Sequence, residues 1–383
     1  MNAIGHFFHV QPRPELRELY LFSVFFSFAS SLILIFEPVF FYVQGYSLSL
    51  IAFYYALHYA LYVLVLPLGG AFAARFGVER SLALSMPLFI VYFLTLAILP
   101  SQPALFWVAW VLLTLHKMFY WPAYHADVCR SAHTNSRGTE ISWLFAVTHG
   151  VGVIGPLAGG LVATYFGFPA LFVLAASLAL AASVPLLRTP ERVRKSRFAY
   201  NTPWQIMAAR PFTRARLAMI GWGENLIDLV FWPVFMFIMV GSPDRLGYIT
   251  GFSVLFMALY GFLVGDMSRG TARRQMLRLH VPVMMFGYLL RPLAAGSINV
   301  LLTDVLARSS YIGVQIPHWQ LLYAEGRRAG PLRYVVALEM TLAVSKAVLA
   351  LVLAGVFAVL TPYAGFAVTF LLAGAYALLY LFL

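Results

Sequence analysis

Charged residues and cysteine are scarce in this sequence, and the shortage of charge is the more informative of the two. Only 10% of the 383 residues are charged, whereas 62% are hydrophobic. A water-soluble protein of this length needs a larger polar surface, so we expect lipid to contact most of the molecule. The single cysteine, Cys129, excludes an internal disulfide framework. Strand-like alternation is also absent, which argues against an outer-membrane barrel.

The apolar residues fall into runs of roughly 20, the length with which a helix crosses a hydrocarbon core of ~30 Å. The first run follows a polar leader and is long enough to span, so we interpret it as a helix and not as a cleavable signal. We predict an all-α membrane protein whose twelve transmembrane helices lie near 19–43, 48–73, 81–99, 103–126, 140–164, 168–187, 217–240, 246–266, 276–295, 299–323, 333–357 and 362–383.

The positive charge of the chain, formally +12, follows the predicted topology. Of the 26 lysine and arginine residues, 21 fall in the leader and the even-numbered connections, and Arg245 is the one basic loop residue on the other side. The positive-inside rule then places both termini in the cytoplasm of a multi-pass protein in the inner cell membrane. We expect the bilayer as a partner, with some attraction to anionic lipid, and no nucleic acid.

The sequence also repeats itself at an offset of 195 residues. This offset aligns the segment 37–42 with 232–237, Gly70 with Gly265, and Pro122 with Pro317. Three matches in one register indicate a duplicated six-helix unit. We therefore predict an N-terminal bundle over residues 1–187, a basic cytoplasmic linker over 188–216 and a C-terminal bundle over 217–383.

Local motifs strengthen this interpretation. The turn between the second and third helices contains Gly70, Arg75, Gly77 and Arg80, and the second half carries a looser copy with Gly265, Asp266 and Arg269. The fifth helix contains Gly155, Pro156, Gly159 and Gly160. These motifs and the duplication resemble the major facilitator superfamily over the whole chain. Ala74 stands where that family's signature has an aspartate, and the fifth-helix motif is similar to the family's antiporter motif.

The resemblance implies two pseudo-symmetric six-helix bundles that rock about a central site, with the basic turns acting as a conformational switch. The glycines of the fifth helix allow a neighbouring helix to approach closely, and Pro156 bends the helix. A purely structural packing role is the alternative for these glycines. The resemblance further implies that helices 1, 4, 7 and 10 line the central cavity.

Charged groups at bilayer depth are costly, roughly 2.5–3.5 kcal/mol or more, and so mark candidate functional sites. The candidates for proton coupling or substrate contact are Glu37, His116, Lys117, Tyr120, Tyr124, His149, Glu224, Asp228, Trp232, Asp304, Arg308 and Gln315.

Three of these sets depend on spacing. Glu224 and Asp228 are four apart on one helix face, where two carboxylates do not both ionise cheaply, so we expect one of them to hold a proton. The alternative is that Glu224 is simply solvated. Asp304 and Arg308 are also four apart and either neutralise each other or serve the site. Glu339 and Lys346 are seven apart, a spacing that allows a structural pair.

These features favour a secondary active transporter and not an enzyme, since no catalytic dyad is apparent. His125-Ala-Asp127 does not have metal-ligand spacing, and no Walker-type phosphate loop is present, so we expect no metal and no cofactor. We predict a monomeric, proton-coupled carrier, an antiporter, for a small amphipathic or drug-like molecule. A lipid or glycolipid flippase and a sugar or nutrient uptake symporter are the alternatives.

Overall fold

The computed structural model describes residues 14–131, 138–188, 197–267 and 272–383, without the side chains of 14–20, 130, 131, 138–149, 186–188, 262, 265, 266 and 272. Over these ranges the chain is helical, contains no strand and forms twelve long helices, which we number α1–α12. The prediction of an all-α, twelve-helix membrane fold is confirmed. The end of the molecule at which α1 begins and α12 ends is called the inner end, and the opposite one the outer end.

The first half contains α1 to α6. The helix α1 consists of Pro14–Ile33 and Phe36–Val43, α2 spans Leu48–Phe76, α3 spans Val78–Ile98, and α4 spans Phe106–Ser131 after a 3-10 turn at Pro103–Leu105. The helices α5 and α6 form one segment, Gly138–Arg188, which is divided at Gly167. Gly167 has φ 82° and ψ 165°, a conformation that other residues rarely adopt.

The second half contains α7 to α12 and follows a short linker helix, Thr202–Ala208, and a 3-10 turn, Arg210–Phe212. The helix α7 consists of Thr213–Gly221, a 3-10 turn Trp222–Glu224, a π turn Ile227–Phe231 and a last segment Trp232–Val240. Then α8 spans Pro243–Met267, α9 Ala272–Leu290 with a 3-10 turn at Arg291–Leu293, α10 Gly296–Ala329, α11 Pro331–Val359 and α12 Pro362–Ala377, extended by the 3-10 turn Leu378–Phe382.

Eight segments of the described chain are long and apolar enough to cross a membrane by length and composition. One of them, Gly150–Pro185, contains parts of both α5 and α6. The outward faces carry large exposed apolar residues such as Leu64, Leu180 and Leu351. Because these faces can be stable only against lipid, the chain is a multi-pass membrane protein.

Repeat-related prolines interrupt the first helix of each half, which the sequence predicted as continuous. Pro38 has no N–H for the carbonyl of Leu34, and α1 is broken at Leu34 and Ile35. Pro233 likewise has no N–H for the carbonyl of Leu229, which lies in the π turn of α7. The 195-residue repeat therefore carries a backbone break as well as a sequence match.

Helix packing is repeated in the two halves. In the first half α2 and α3 both pack on α4, and α3 also contacts the α5–α6 segment. In the second half α8 and α9 both pack on α10, and α9 also contacts α12. Across the interface α2 packs on α11, and the α5–α6 segment packs on α8. The two bundles are therefore pseudo-symmetric and meet along two helix pairs.

The halves touch at the outer end through backbone-close contacts. The Ser49 hydroxyl of α2 donates to the Ala354 carbonyl of α11 over 2.7 Å. On the other side of the interface the Asp244 amide donates to the Thr164 hydroxyl over 3.0 Å. Below this contact, α5 and α8 approach so closely at Gly160 and Gly247 that a Cβ on Gly247 would lie 3.1 Å from the Gly160 Cα and overlap the Pro156 carbonyl. The glycine of the fifth-helix motif thus lies at the interface between the halves.

The halves also touch at the inner end, through a polar cluster that we call the inner latch. His125 of α4 lies 3.3 Å from the Glu339 carboxylate of α11 and 2.5 Å from the Tyr323 hydroxyl of α10. The His125 ring stacks on Trp319 at 4.7 Å between centroids. His125 and Glu339 are buried, at 6% and 5% exposure. This conformation therefore joins the two halves at both ends.

Close packing at Gly247 gives a testable prediction. Gly247→Ala is expected to destabilise the protein by about 1–3 kcal/mol, because its methyl group overpacks the α5–α8 contact. The measurement is thermal unfolding of the purified protein. Gly355→Ala is the control, since a Cβ on Gly355 of α11 would meet nothing within 4 Å. Equal unfolding temperatures for the two variants would contradict a tight α5–α8 contact.

The inner latch gives a second prediction, for which Cys129 is a built-in probe. This sole cysteine is buried beside the latch, with its thiol 3.6 Å from the Tyr323 carbonyl. Glu339→Gln removes the charged partner of His125, so maleimide labelling of Cys129 is expected to become several-fold faster. Glu325→Gln is the control, because Glu325 accepts from Tyr334 within the same half, over 2.8 Å. Unchanged labelling in Glu339→Gln would show that the latch does not hold the inner end closed.

Candidate functional site

Two acidic residues lie where α7 departs from α-helical geometry. Glu224 ends the 3-10 turn Trp222–Glu224, and Asp228 belongs to the π turn Ile227–Phe231. Irregular turns of this kind redirect side chains and are frequent at functional sites in helices. The sequence predicted the two carboxylates on one face of a regular helix. The structure keeps them together, but on an unwound segment.

Tyr288 of α9 connects these two carboxyl groups. Its hydroxyl lies within hydrogen-bonding distance of Glu224 Oε2, and it lies 2.8 Å from Asp228 Oδ2. The Tyr380 hydroxyl donates to the other Glu224 oxygen over 2.9 Å. Glu224 itself is fully buried. The alternative of a solvated Glu224 is therefore excluded, since its carboxyl group is enclosed by two tyrosines.

Arg291 neutralises Asp228, the second carboxylate of this cluster. Its Nη1 lies 2.6 Å from Asp228 Oδ1, and the residue is 1% exposed. The guanidinium also lies over the Trp232 ring at 4.4 Å and over the Tyr288 ring at 4.5 Å. Cation–π contacts of this kind stabilise a desolvated cation. A positive charge is tolerated here because a carboxylate and two aromatic faces replace its water.

A second charge pair adjoins the first through Trp232. The Arg308 Nε donates to Asp304 Oδ2 over 2.9 Å, and the Trp232 Nε1 donates to Asp304 Oδ1 over 2.8 Å. Asp304 is fully buried, whereas Arg308 is half-buried. The i, i+4 pair thus neutralises itself on α10, and Trp232 joins it to α7.

Tyrosines of α2 face the interface between the halves at i, i+4 and i+7, and we call them the α2 tyrosine ladder: Tyr55, Tyr59 and Tyr62. The first donates to Glu37 Oε1 over 2.8 Å, and the last donates to Glu339 Oε2 over 3.4 Å. Between them lies Tyr59. The ammonium groups of Lys117 of α4 and of Lys346 of α11 each lie 5.3 Å from the centroid of its ring.

The two lysines do not take the partners that the sequence suggested. The Lys346 Nζ donates to Asn225 Oδ1 of α7 over 3.1 Å, and Glu339 contacts His125 of the other half. Glu339 and Lys346 therefore form no direct ion pair in the described residues, because their nearest polar partners lie on different helices, and they interact only at longer range. Lys117 and Glu37 form no ion pair within the described residues, since Glu37 lies nearer the outer end and binds Tyr55.

Three candidates on α4 lie away from Lys117. His116 has its Nδ1 2.9 Å from the Ser85 carbonyl of α3 and stacks on Phe89 at 4.1 Å. Tyr120 stacks on His116, and Tyr124 stacks on Tyr120 and is 39% exposed. Residues four apart share a helix face, whereas the adjacent Lys117 is turned by about 100°. This face therefore packs on α3 and does not meet the lysines.

The remaining candidates differ in how much the structure says of them. Gln315 is half-buried on α10. The whole of Arg269 lies outside the described residues. Of His149, Gly265 and Asp266 the structure describes only the backbone. In the first-half switch motif Gly77 has φ 107° between α2 and α3, and Arg75 and Arg80 are exposed at the inner end.

The glycines of the motifs lie at helix contacts. A Cβ on Gly70 would lie 2.9 Å from Val336 of α11, so this residue faces the other half. A Cβ on Gly155 or Gly159 would overlap α1, at Ser31 and at the Leu32 carbonyl. Pro156 is buried beside them and meets α8 through its carbonyl. Gly155 and Gly159 thus pack α5 within its own half, whereas Gly70 and Gly160 face the opposite one.

Sequence reasoning missed several members of the site: Tyr55, Tyr59, Asn225, Tyr288, Arg291 and Tyr380. Arg291 had a usable signal, because it is an intramembrane charge like the chosen candidates. The tyrosines did not stand out among 21 tyrosines in the chain. Only the packing of α2 on α11 and of α7 on α9 and α12 singles them out.

Solved structures of transporters share this fold. The nucleoside transporter NupG has a TM-score of 0.69 and 10% identity, over 96% of this chain and 97% of that one. A bacterial homologue of the human drug peptide transporters PepT1 and PepT2 has 0.71 and 11%, over 96% of each chain. The human organic anion transporter MFSD10 (TETRAN) has 0.67 and 15%, over 97% and 99%. At such identities these likenesses show the fold.

No curated protein matches the sequence. A family model described as Major Facilitator Superfamily matches residues 19–326, which is most of the chain and includes both halves. Its secondary-transporter architecture agrees with the repeat, the two bundles and the buried charges at their centre. The chain belongs to the Major Facilitator Superfamily and is a transporter, not an enzyme.

Proposed function

We propose that this protein is a proton-coupled secondary transporter in which Glu224 carries the coupling proton. It moves a small amphipathic molecule by alternating access, with both termini in the cytoplasm of the inner membrane, where the basic loops place them. The observation that carries the proposal is the position of the Tyr288 hydroxyl between two carboxyl groups.

The number of hydrogens at Tyr288 supports a protonated acid. A phenol has one hydrogen to donate, and an ionised carboxylate only accepts. With both acids ionised, one of the two contacts would bring together oxygens with no hydrogen between them. One carboxyl group must therefore supply a hydrogen of its own.

Glu224 is the better carrier of that hydrogen. Asp228 already forms an ion pair with the fixed charge of Arg291, at 2.6 Å. Glu224 is fully buried and contacts two neutral tyrosines, Tyr288 and Tyr380. In the resulting chain Glu224 donates to Tyr288, and Tyr288 donates to Asp228. A proton that leaves Glu224 as access alternates is the step that coupling needs.

The substrate class rests on the side chains at the junction of the two halves. The tyrosine ladder, Trp222 and Tyr311 offer aromatic faces near a few polar groups, the combination typical of sites for small organic molecules. The structural neighbours are named for nucleosides, drugs and peptides, and organic anions, all of them small organic solutes. A lipid or glycolipid flippase and a sugar symporter are the competing functions, which transport assays with labelled lipid and with sugars would separate.

The test of the proton carrier is infrared spectroscopy combined with mutation. Glu224→Gln is expected to remove the C=O stretching band of a protonated carboxyl group at neutral pH, whereas Asp228→Asn leaves that band in place. Glu325→Gln is the control, because Glu325 is exposed. In proteoliposomes with an imposed pH gradient, Glu224→Gln is also expected to lose the dependence of transport on the gradient. A band that persists in Glu224→Gln, or that disappears in Asp228→Asn, would refute the assignment.

A further inference from the structure

Two ammonium groups converge on one aromatic ring at the junction of the halves. Lys117 of the first half and Lys346 of the second each place Nζ 5.3 Å from the centroid of Tyr59, so twice that distance is the upper limit of their separation. Both residues lie near the middle of their helices, Phe106–Ser131 and Pro331–Val359. Substrate sites in transporters of this type lie near the midplane, between the repeats.

No carboxylate forms a direct ion pair with either ammonium group in the described part of the chain. At longer range Lys117 interacts with Glu37 and Glu339, and Lys346 interacts with Glu224, Asp228 and Glu339. The one hydrogen-bond partner of Lys346 in the described residues is the neutral amide of Asn225, at 3.1 Å. Lys117 has the Tyr59 ring and is half-buried. The nearby acids are held by other groups, Glu37 by Tyr55 and Glu339 by His125 and Tyr62. Two like charges this close at bilayer depth repel each other and are costly unless an anion lies between them.

We infer that Lys117 and Lys346 form an anion-binding site for the transported molecule, which is an organic anion with a carboxylate or phosphate group. This inference rests on the transport function proposed above and names the substrate class. The anionic group lies between the two ammonium groups beside Tyr59, and the organic part lies against the aromatic faces of the ladder. Because the lysines belong to opposite halves, the bound anion draws the halves together and favours the conformation in which they are joined at both ends.

The site also connects substrate charge to the proton. Asn225, which accepts from Lys346, is the neighbour of Glu224 in the chain, and its amide donates to the Tyr311 hydroxyl over 3.3 Å. An added anion disfavours further negative charge nearby, so its binding favours a protonated Glu224. This favours movement of anion and proton together, and not the exchange that the fifth-helix resemblance suggested.

Several other groups determine the electrostatic potential at Glu224, and they come from five helices. The titratable and charged groups that face this carboxyl group are Asp228 on α7, Tyr288 and Arg291 on α9, Tyr311 on α10, Lys346 on α11, and Tyr380 on α12. Of these, Asp228 and Arg291 already face each other. Lys346 is thus the cation of this group that remains for an anionic substrate.

The experiment measures ligand-induced thermal stabilisation with three probes of one size: benzoate, benzylamine and benzyl alcohol, each at millimolar concentration. Benzoate is expected to raise the unfolding temperature of the wild-type protein, because binding to the native state stabilises it. Benzylamine and benzyl alcohol are expected to have no comparable effect. Stabilisation by benzylamine or benzyl alcohol equal to that by benzoate would overturn the inference.

Variants then assign the effect to the lysines. Lys117→Gln and Lys346→Gln are each expected to weaken benzoate binding by about tenfold to a hundredfold, the effect of losing a charged hydrogen bond. Lys117→Arg and Lys346→Arg are expected to keep most of the affinity, and the exposed Arg278→Gln is the control for a lost positive charge. Wild-type affinity in both glutamine variants would overturn the inference, and the unfolding temperature without ligand shows that each variant is folded.

Two further arms separate the possible sources of failure. The measurements are repeated in phosphatidylcholine and in phosphatidylglycerol nanodiscs, and stabilisation by phosphatidylglycerol alone would assign the site to lipid and overturn the small-anion assignment. Benzoate affinity is also measured across pH, where it is expected to rise at lower pH in the wild type but not in Glu224→Gln. Lysine-dependent binding without pH dependence would support the anion site and contradict the proton carrier, so the two proposals fail separately.

Discussion

The ion pair between Arg291 and Asp228 is the contact on which the second half of the molecule depends. A guanidinium with 1% exposure has no water to solvate it, so a carboxylate at 2.6 Å and the faces of Trp232 and Tyr288 take that role. Removing one partner of such a pair leaves an uncompensated charge in the membrane interior. Asp228 is thereby committed to a fixed partner. Glu224 has no such partner, which is why we propose it as the acid that exchanges a proton.

The irregular segments of the backbone lie where the acidic residues of the candidate site lie. The π turn and the 3-10 turn of α7 hold Asp228 and Glu224, and Pro233, which follows them, cannot donate to the helix. In the first half, Pro38 has the same place relative to the break in α1, next to Glu37. Irregular backbone is tolerated at membrane depth where protein surrounds it. The duplicated proline thus positions an acid in each half, although the acids occupy different repeat positions.

The sequence allowed the fold to be predicted, because hydropathy, the 195-residue offset and the motif glycines all depend on local residue types. It also identified most of the buried charges, since each charge is costly in lipid. It identified their partners only where the two residues are close in the sequence. Asp304 and Arg308 are four apart, so their pair is visible in the sequence, but Glu339 meets His125 at a separation of more than 200 residues.

The second limit on prediction from the sequence was the helix face on which each residue lies. His116 and Lys117 are adjacent in the chain, and no sequence pattern distinguishes their surroundings. The packing of α3 on α4 draws His116 to the Ser85 carbonyl, whereas α2 and α11 enclose Lys117. Which of these surroundings a residue meets is decided by neighbouring helices, and those helices lie far apart in the sequence. Candidate lists from sequence therefore contain residues from both faces.

The division of charge between the halves suggests how the parts cooperate. The second half pairs Asp228 and Asp304 with arginines of its own, and in the proposed mechanism these pairs surround the proton on Glu224. The first half brings Lys117 and the tyrosine ladder, whose contacts extend to Lys346 and Glu339 across the interface. Asn225 lies where these two systems meet, next to Glu224 in the chain and bonded to Lys346. Under the two proposals made above, a change in charge at the lysines therefore reaches Glu224 through one amide, a path short enough to couple a bound anion to a proton.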